Sequence, residues 1–135
     1  CTLQTDTEVI TYMLDYLLRR QGLSLSEAAA VMAAPFWSTI ARRPPEEREV
    51  LTYLRTVFSG LLVTGPFSII LGFDGGLMAL NDRLKLRGMV VGEKEDLVYV
   101  ASEEAAIRAI APDAENLYAP MGGEPVIVRL KEGTY

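Results

Sequence analysis

The spacing of apolar residues changes midway along this chain, and that change limits the fold more than any other feature of the sequence. Before Gly60, apolar side chains recur every three or four residues, which is the period of an amphipathic helix. From Phe67 they occur in short runs bounded by glycine, proline and charged residues, which is typical of β-strands. The pattern predicts an α+β fold, with residues 1–60 helical and residues 61–135 forming a mostly antiparallel sheet with one short helix.

Three helices are predicted in the first half from their apolar spacing and their start and stop signals. They are residues 8–20, a segment from Ser24 to before Pro35, and a segment opened by Pro44 or Pro45. The second has Ser24 and Glu27 in capping-box register. The third is predicted to bury one apolar face, made of Val50, Leu51, Leu54, Val57 and Phe58. The stretch PFWST follows the second helix, ARRPPEERE is predicted to be a break, and Trp37 with Phe36 is predicted to be a hydrophobic anchor under the helices.

Two β-hairpins are predicted in the second half. The first joins FSIILGF to GLMAL across a turn at Asp74, and the second joins MVVGE to LVYVA across the charged turn KED. Ile70 makes the second face of the first strand apolar, so this sheet is predicted to be buried on both sides. A short helix capped by Ser102 follows, and NLYAPMGGEPVIVRL is predicted to add one or two strands.

Composition excludes several kinds of site. The chain has 135 residues, half of them hydrophobic, which suits one compact domain or a part of one. It has no histidine, so serine–histidine, cysteine–histidine and histidine–metal sites are excluded, and no metal or cofactor is predicted. A formal charge of -5 without a basic stripe argues against nucleic acid. The run GLLVTGPFSIILGF is broken by glycine and proline, which argues against a membrane helix, and a cytoplasmic protein is predicted.

The single cysteine is the first residue, and the residues alone leave two interpretations of it open. In the first, the thiol and the α-amino group of Cys1 act together as the nucleophile and the base of an amidase centre. In the second, Cys1 only marks the place where a segment of chain begins. Because histidine is absent, Cys1 is the obvious candidate for covalent catalysis in this chain.

Four stretches carry a resemblance to a known family. They are TDTEVI at residues 5–10, GPFSIILGFDGGLMALNDRLKLR at 65–87, LVYVASEEAAI at 97–107, and APMGGEPVIVRL near the end. Their order resembles the later part of a class II glutamine amidotransferase domain, whose fold is the αββα sandwich of the N-terminal nucleophile hydrolases. The helical insertion between the first two stretches is most similar to the amidotransferase subunit of archaeal-type glutamate synthases.

The resemblance implies a glutaminase that releases ammonia from glutamine for glutamate synthesis. Its implied partners are glutamine, the remainder of the amidotransferase domain and the synthase subunits, in a homo- or hetero-oligomer. The family's nucleophile is a cysteine followed by glycine, with an arginine motif and an Asn-Gly oxyanion site after it. Here Thr2 follows Cys1 and no Asn-Gly pair occurs. The resemblance therefore favours Cys1 as a segment boundary, and this chain alone is predicted to be inactive.

Asp6 is the residue to which the resemblance assigns substrate binding. In the family, the aspartate of this motif binds the α-amino group of glutamine. The alternative is that Thr5 and Glu8 form a capping box and that Asp6 only stabilises a helix end. The alternative function is a non-catalytic module for assembly or amino-acid binding with a degenerate amidotransferase fold. Asn81 and Asp82 resemble a family turn that shapes the sheet.

Overall fold

The structure, a computed structural model, describes residues 6–34, 36–61 and 66–131. The chain forms two compact units, Cys1–Val63 and Thr64–Tyr135. The described elements of the first unit are α1 (Asp6–Asp15), a π-helical turn (Tyr16–Arg20), α2 (Leu25–Ala33), α3 (Trp37–Ala41), α4 (Pro45–Val57) and a 3-10 turn (Ser59–Leu61). Those of the second unit are β1 (Ser68–Phe73), β2 (Gly76–Asn81), β3 (Val90–Lys94), β4 (Leu97–Ala101), α5 (Glu104–Ile110), β5 (Glu115–Tyr118) and β6 (Val126–Arg129).

Local signals in the sequence account for the boundaries of the first two helices. After the π-helical turn, Gly22 adopts a φ of 68° and the N–H of Leu23 donates to the carbonyl of Leu17 at 3.0 Å, which closes the helix. At the start of α2 the hydroxyl of Ser24 accepts from the N–H of Glu27 at 3.2 Å, and the Glu27 carboxylate accepts from the N–H of Ser24 at 3.0 Å. The predicted capping box is confirmed.

A short helix that was not predicted from the sequence begins at Trp37. Trp37–Ala41 forms the short helix α3, in which the carbonyl of Phe36 accepts from the N–H groups of Thr39 and Ile40 at 2.9 and 3.0 Å. Five residues are too few to show a helical period, so the pattern of apolar residues could not reveal this helix. Ile40 is the buried residue of α3, whereas Trp37 is 52% exposed and does not anchor the helices from below.

The predicted apolar face of α4 is only partly correct. Leu54 is buried, and α4 packs against α2 and α3. Val50 and Val57, which were predicted to belong to the same face, are exposed together with Tyr53. Their spacing places these three residues in one stripe beside Leu54, and α2 and α3 leave that stripe uncovered. We call Val50, Tyr53 and Val57 the α4 stripe.

The strands of the second unit form two antiparallel sheets of three strands each. Sheet A has the order β1-β2-β6 and sheet B the order β4-β3-β5. The first hairpin pairs Phe73 with Gly76 around Asp74 and Gly75, and β6 pairs with the other side of β2. The second hairpin pairs Lys94 with Leu97 across residues 95–96. Both predicted hairpins are confirmed, and the mixture of helices with antiparallel sheets confirms the predicted α+β class.

The two sheets share one apolar core, and α5 covers the other face of sheet B. The core between the sheets contains Ala79, Met89, Val91 and Val126, with Val100 and Val128 packed against it. A second cluster joins α5 and the residues after it to sheet B and contains Ile107, Ala111 and Ala114, with Val90, Tyr99, Ala101 and Leu117. The second unit therefore has three layers, in the order sheet A, sheet B, helix.

Two further expectations for the second unit are wrong. Glu103, and not Ser102, occupies the N-cap position of α5, and its side chain makes no capping hydrogen bond. Ile70 is 58% exposed, although the sheet was predicted to be buried on both sides. The reason is that β1 lies at the margin of sheet A, whereas the core between the sheets is built from β2 and β6. Among the described residues, no helix has both the length and the apolar content to cross a membrane.

Candidate functional site

The described residues contain one of the two residues predicted for the site. Asp6 is the first described residue of α1, and both interpretations of it concern the N-terminal end of a helix. A carboxylate at that end of a helix is stabilised by the helix dipole. Cys1 and Thr5 lie outside the described residues.

The turn that follows β2 contains a buried carboxylate. Asp82 is 3% exposed, and both of its oxygens accept hydrogen bonds from the backbone. Oδ1 accepts from the N–H groups of Phe67 and Arg87, each at 3.3 Å, and Oδ2 accepts from the N–H of Leu86 at 2.9 Å. One carboxylate thus ties the start of β1 to the loop after β2. We call residues 81–88 the Asp82 turn.

The surroundings of Asp82 suit a structural carboxylate and not an acid–base catalyst. Burial opposes its ionisation, but the N–H donors of Leu86, Arg87 and Phe67 outweigh that effect and lower its pKa below the ordinary value of 3.8. General acid–base catalysis works best with a pKa near the operating pH. Asp82 stays ionised near neutrality and has both oxygens committed, so it neither donates nor removes protons there.

Asn81, the residue before Asp82, is fully buried and incompletely hydrogen-bonded. Its Nδ2 donates to the carbonyl of Arg87 at 3.4 Å, and its own backbone carbonyl accepts from the N–H of Gly123 at 3.1 Å. Its Oδ1 is buried and accepts no hydrogen bond from the described residues. These bonds place the Asp82 turn against the Gly122–Gly123 turn of the APMGGEP stretch.

Two glycines let other stretches of the resemblance close on the Asp82 turn. A Cβ atom on Gly122 would lie 2.4 Å from the carbonyl oxygen of Arg83, and one on Gly88 would lie 2.7 Å from the carbonyl oxygen of Ser102. Both distances are shorter than any real contact of a Cβ atom. Only glycine fits at either position without a backbone shift. The structure therefore brings together the NDR, SEE and APMGGEP stretches, which are far apart in the sequence.

The first unit has a shallow hollow of about 390 Å³ that sequence reasoning missed. The hollow is lined by Val31, Ala34, Trp37, Arg55, Thr56, Phe58 and Ser59. The guanidinium carbon of Arg55 lies 4.6 Å from the centre of the Trp37 ring, a cation–π contact. The hydroxyl of Thr56 donates to the carbonyl of Thr52 at 2.8 Å. The lining offers an aromatic surface and a cation, but no nucleophile paired with a base.

The neighbouring carboxylates of α5 do not form an acid–base pair. Glu104 accepts a hydrogen bond from Nε of Arg108, four residues later, at 3.3 Å, and both side chains are largely exposed. Arg108 also donates to the carbonyls of Pro112 and Ala114, each at 2.9 Å. Glu104 and Arg108 thus fix the end of α5 against the chain that leads into β5.

Comparison with known proteins adds a relative but no function. No protein-family model matches the chain. The chain is similar to a protein of Archaeoglobus fulgidus named only "Uncharacterized protein", with 45% identity over 131 residues. The match covers 97% of this chain and 35% of that relative, so the chain spans about a third of the length of the relative.

Proposed function

We propose that this chain is part of a class II glutamine amidotransferase domain, in which it supplies one wall of the glutamine pocket. The reaction of such a domain is the hydrolysis of the glutamine amide, with release of ammonia for glutamate synthesis. The observation that carries the proposal is the layered second unit. Two antiparallel sheets are stacked face to face, and a helix lies on the outer face of one of them.

The layers of the second unit support the proposal because they resemble part of an αββα sandwich. Sheet A, sheet B and α5 follow one another in the order β, β, α, which is similar to the order of three layers in that arrangement. The four stretches that carry the family resemblance occur in the expected order along the chain. In addition, the last three of them meet at the Asp82 turn, where two glycines permit close contact between backbones.

Asp6 is the residue of this chain to which the proposal gives a direct role. We expect Asp6 to lie in the first turn of α1, where a helix dipole would favour an ionised carboxylate. An ionised carboxylate forms a charge-assisted hydrogen bond with an ammonium group, and free glutamine carries one as its α-amino group. The proposal assigns the nucleophile to sequence other than this chain, because Cys1 lacks the glycine that follows the nucleophile in the family.

A non-catalytic assembly module remains the second candidate, and the α4 stripe favours it. Val50, Tyr53 and Val57 are exposed on one side of α4. Exposed apolar surface of this kind marks protein–protein contacts when it is contiguous. An assembly module needs such a surface and does not need Asp6.

A chimera tests the proposal. In the chimera, residues 1–135 of this chain replace the matched segment of the Archaeoglobus relative, which is feasible because the two are 45% identical. We expect the chimera and the relative to release ammonia from glutamine. Asp6→Asn in the chimera should raise the KM for glutamine at least about tenfold, since a hydrogen bond to a charged group contributes roughly 1.5–3 kcal/mol.

The matched control for that experiment is Asp15→Asn, which removes a carboxylate from the other end of α1. Asp15 is exposed and pairs with Arg19 at 3.1 Å, so its loss should leave the KM unchanged. If neither the relative nor the chimera hydrolyses glutamine, the proposed function is wrong. An equal effect of the two substitutions on KM would remove Asp6 from the pocket.

A further inference from the structure

The outer margin of β1 has hydrogen-bonding groups that no described strand uses. In sheet A, β1 pairs with β2 on one side only. The N–H of Asp82 donates to the carbonyl of Phe67 at 3.0 Å, which shows that the backbone groups of Phe67 point toward β2. Backbone groups alternate in direction along a strand, so those of Ser68, Ile70 and Gly72 point outward. We call these three residues the β1 edge.

The β1 edge lacks the features with which proteins protect a strand from pairing. The segment SIILGF contains no charged residue and no proline. The opposite margin of sheet A differs, because β6 has only four residues and ends with Arg129, whereas a proline precedes both strands, Pro125 before β6 and Pro66 two residues before β1. Short strands, prolines and charges are the usual protection of a sheet margin. One margin of sheet A is therefore protected and the other is open to a further strand.

Burial changes sharply between β1 and its neighbour. Ile70 is paired with Ala79 on the same face of sheet A, and Ala79 is fully buried whereas Ile70 is 58% exposed. A strand beside β1 would place a side chain directly next to Ile70 and cover part of it. An apolar residue at that position would extend the core of the sandwich across the β1 edge.

We infer that the β1 edge is the docking site for an extended segment of a longer chain, one that carries an apolar residue opposite Ile70. The alternating backbone groups identify the partner as a strand, since a helix uses its own backbone groups internally. The Archaeoglobus relative is a longer chain that could supply this segment, because 35% of it matches and the rest lies outside the match. This inference does not rest on the proposed glutaminase function.

Hydrogen exchange at single amides tests the inference, on this chain and on the intact relative. In this chain, at a concentration where sedimentation shows a monomer, the amides of Ser68, Ile70 and Gly72 should exchange about 100-fold faster than those of Ile69 and Leu71. In the relative, a strand should cover the residues aligned with the β1 edge. Their amides should therefore exchange at rates within about tenfold of those aligned with Ile69 and Leu71.

Three results would overturn the inference. The first is protection of Ser68, Ile70 and Gly72 in the monomeric chain, which means that the chain covers its own edge. The second is rapid exchange of the aligned amides in the intact relative. The third is protection that appears only in a dimer of this chain and is absent in the relative, which identifies a second copy as the occupant.

A charged residue on the β1 edge provides an independent measurement. In the chimera, Ile70→Lys should lower the melting temperature and speed exchange at Ser68 and Gly72, whereas in the monomeric chain it should change neither. The control is Ile110→Lys, which changes an equally large side chain that is 73% exposed on α5. Ile110→Lys should change neither the melting temperature nor these exchange rates, in the chimera or in the chain. Equal effects of Ile70→Lys in the chimera and in the chain would contradict the inference, and neither measurement involves glutamine.

Discussion

Replacement of Asp82 by asparagine should destabilise the second unit strongly, although the two side chains have nearly the same shape. Asparagine can still accept hydrogen bonds from Phe67 and Arg87 through its oxygen, but its NH2 group would then face the N–H of Leu86. One buried donor is left without an acceptor, at a cost of about 1–3 kcal/mol, and two charge-assisted hydrogen bonds become neutral ones. We expect Asp82→Asn to lower the free energy of unfolding by about 2–4 kcal/mol.

The pH dependence of this loss follows from the direction of the pKa shift. The folded state lowers the pKa of Asp82 below its ordinary value of 3.8. A lowered pKa contributes stability that is fully present above the unfolded-state pKa and disappears as the pH falls through the folded-state value. The stability difference between wild type and Asp82→Asn should therefore be constant from about pH 7 to pH 5 and shrink below about pH 4.

Urea unfolding followed by circular dichroism between pH 3 and pH 7 measures both effects. The control is Asp74→Asn, since Asp74 is exposed in the turn of the same sheet and should change the free energy of unfolding by less than about 0.5 kcal/mol. A loss below about 0.5 kcal/mol for Asp82→Asn would contradict the proposed role of its hydrogen bonds. A stability difference that grows as the pH falls would contradict the assigned pKa shift.

Three other outcomes are expected. Gly122→Ala should lower the free energy of unfolding in urea by about 1–3 kcal/mol, because the added Cβ atom would collide with the backbone carbonyl of Arg83. The control is Gly72→Ala, which should change that free energy by less than about 1 kcal/mol, because there is open space around Gly72. Ser24→Ala should cost about 0.5–2 kcal/mol through loss of the capping box, measured by thermal unfolding of the first unit. This chain alone should release no measurable ammonia from glutamine, since each missing oxyanion donor costs about 10²–10³ in rate; glutamate production that Cys1→Ala abolishes would restore Cys1 as nucleophile.

Several features that depend on neighbouring residues in the sequence were predicted correctly, although the cap of α5 was assigned to Ser102 instead of Glu103. The capping box at Ser24 and Glu27 spans four residues, and the turn at Asp74 and Gly75 lies between two runs with alternating faces. Such signals act within a few residues, so the sequence displays them directly. The short helix α3 was missed because five residues do not establish a period.

Features that depend on distant neighbours could not be predicted. Ile70 and Ala79 are both apolar residues in adjacent strands, yet Ile70 is exposed and Ala79 is buried. The difference arises because β1 lies at the margin of sheet A and β2 lies at its centre. Asp82 receives its N–H donors from Phe67, Leu86 and Arg87, and the first of these lies in another strand segment. An aspartate directly after an apolar strand is a weak signal for a buried carboxylate that accepts backbone hydrogen bonds, because aspartate is also common in exposed turns.

The two aspartates of the family stretches should respond to substitution in opposite ways, and this contrast separates binding from structure. Asp82 has both oxygens committed to backbone donors, so in the chimera Asp82→Asn should lower the melting temperature and leave the KM for glutamine unchanged. A charge lost near a helix start costs less than about 1 kcal/mol, so the proposed role of Asp6 predicts that Asp6→Asn raises the KM and leaves the melting temperature nearly unchanged. If Asp6→Asn lowers only the melting temperature, helix stabilisation is its role and the proposed binding of glutamine by Asp6 is wrong.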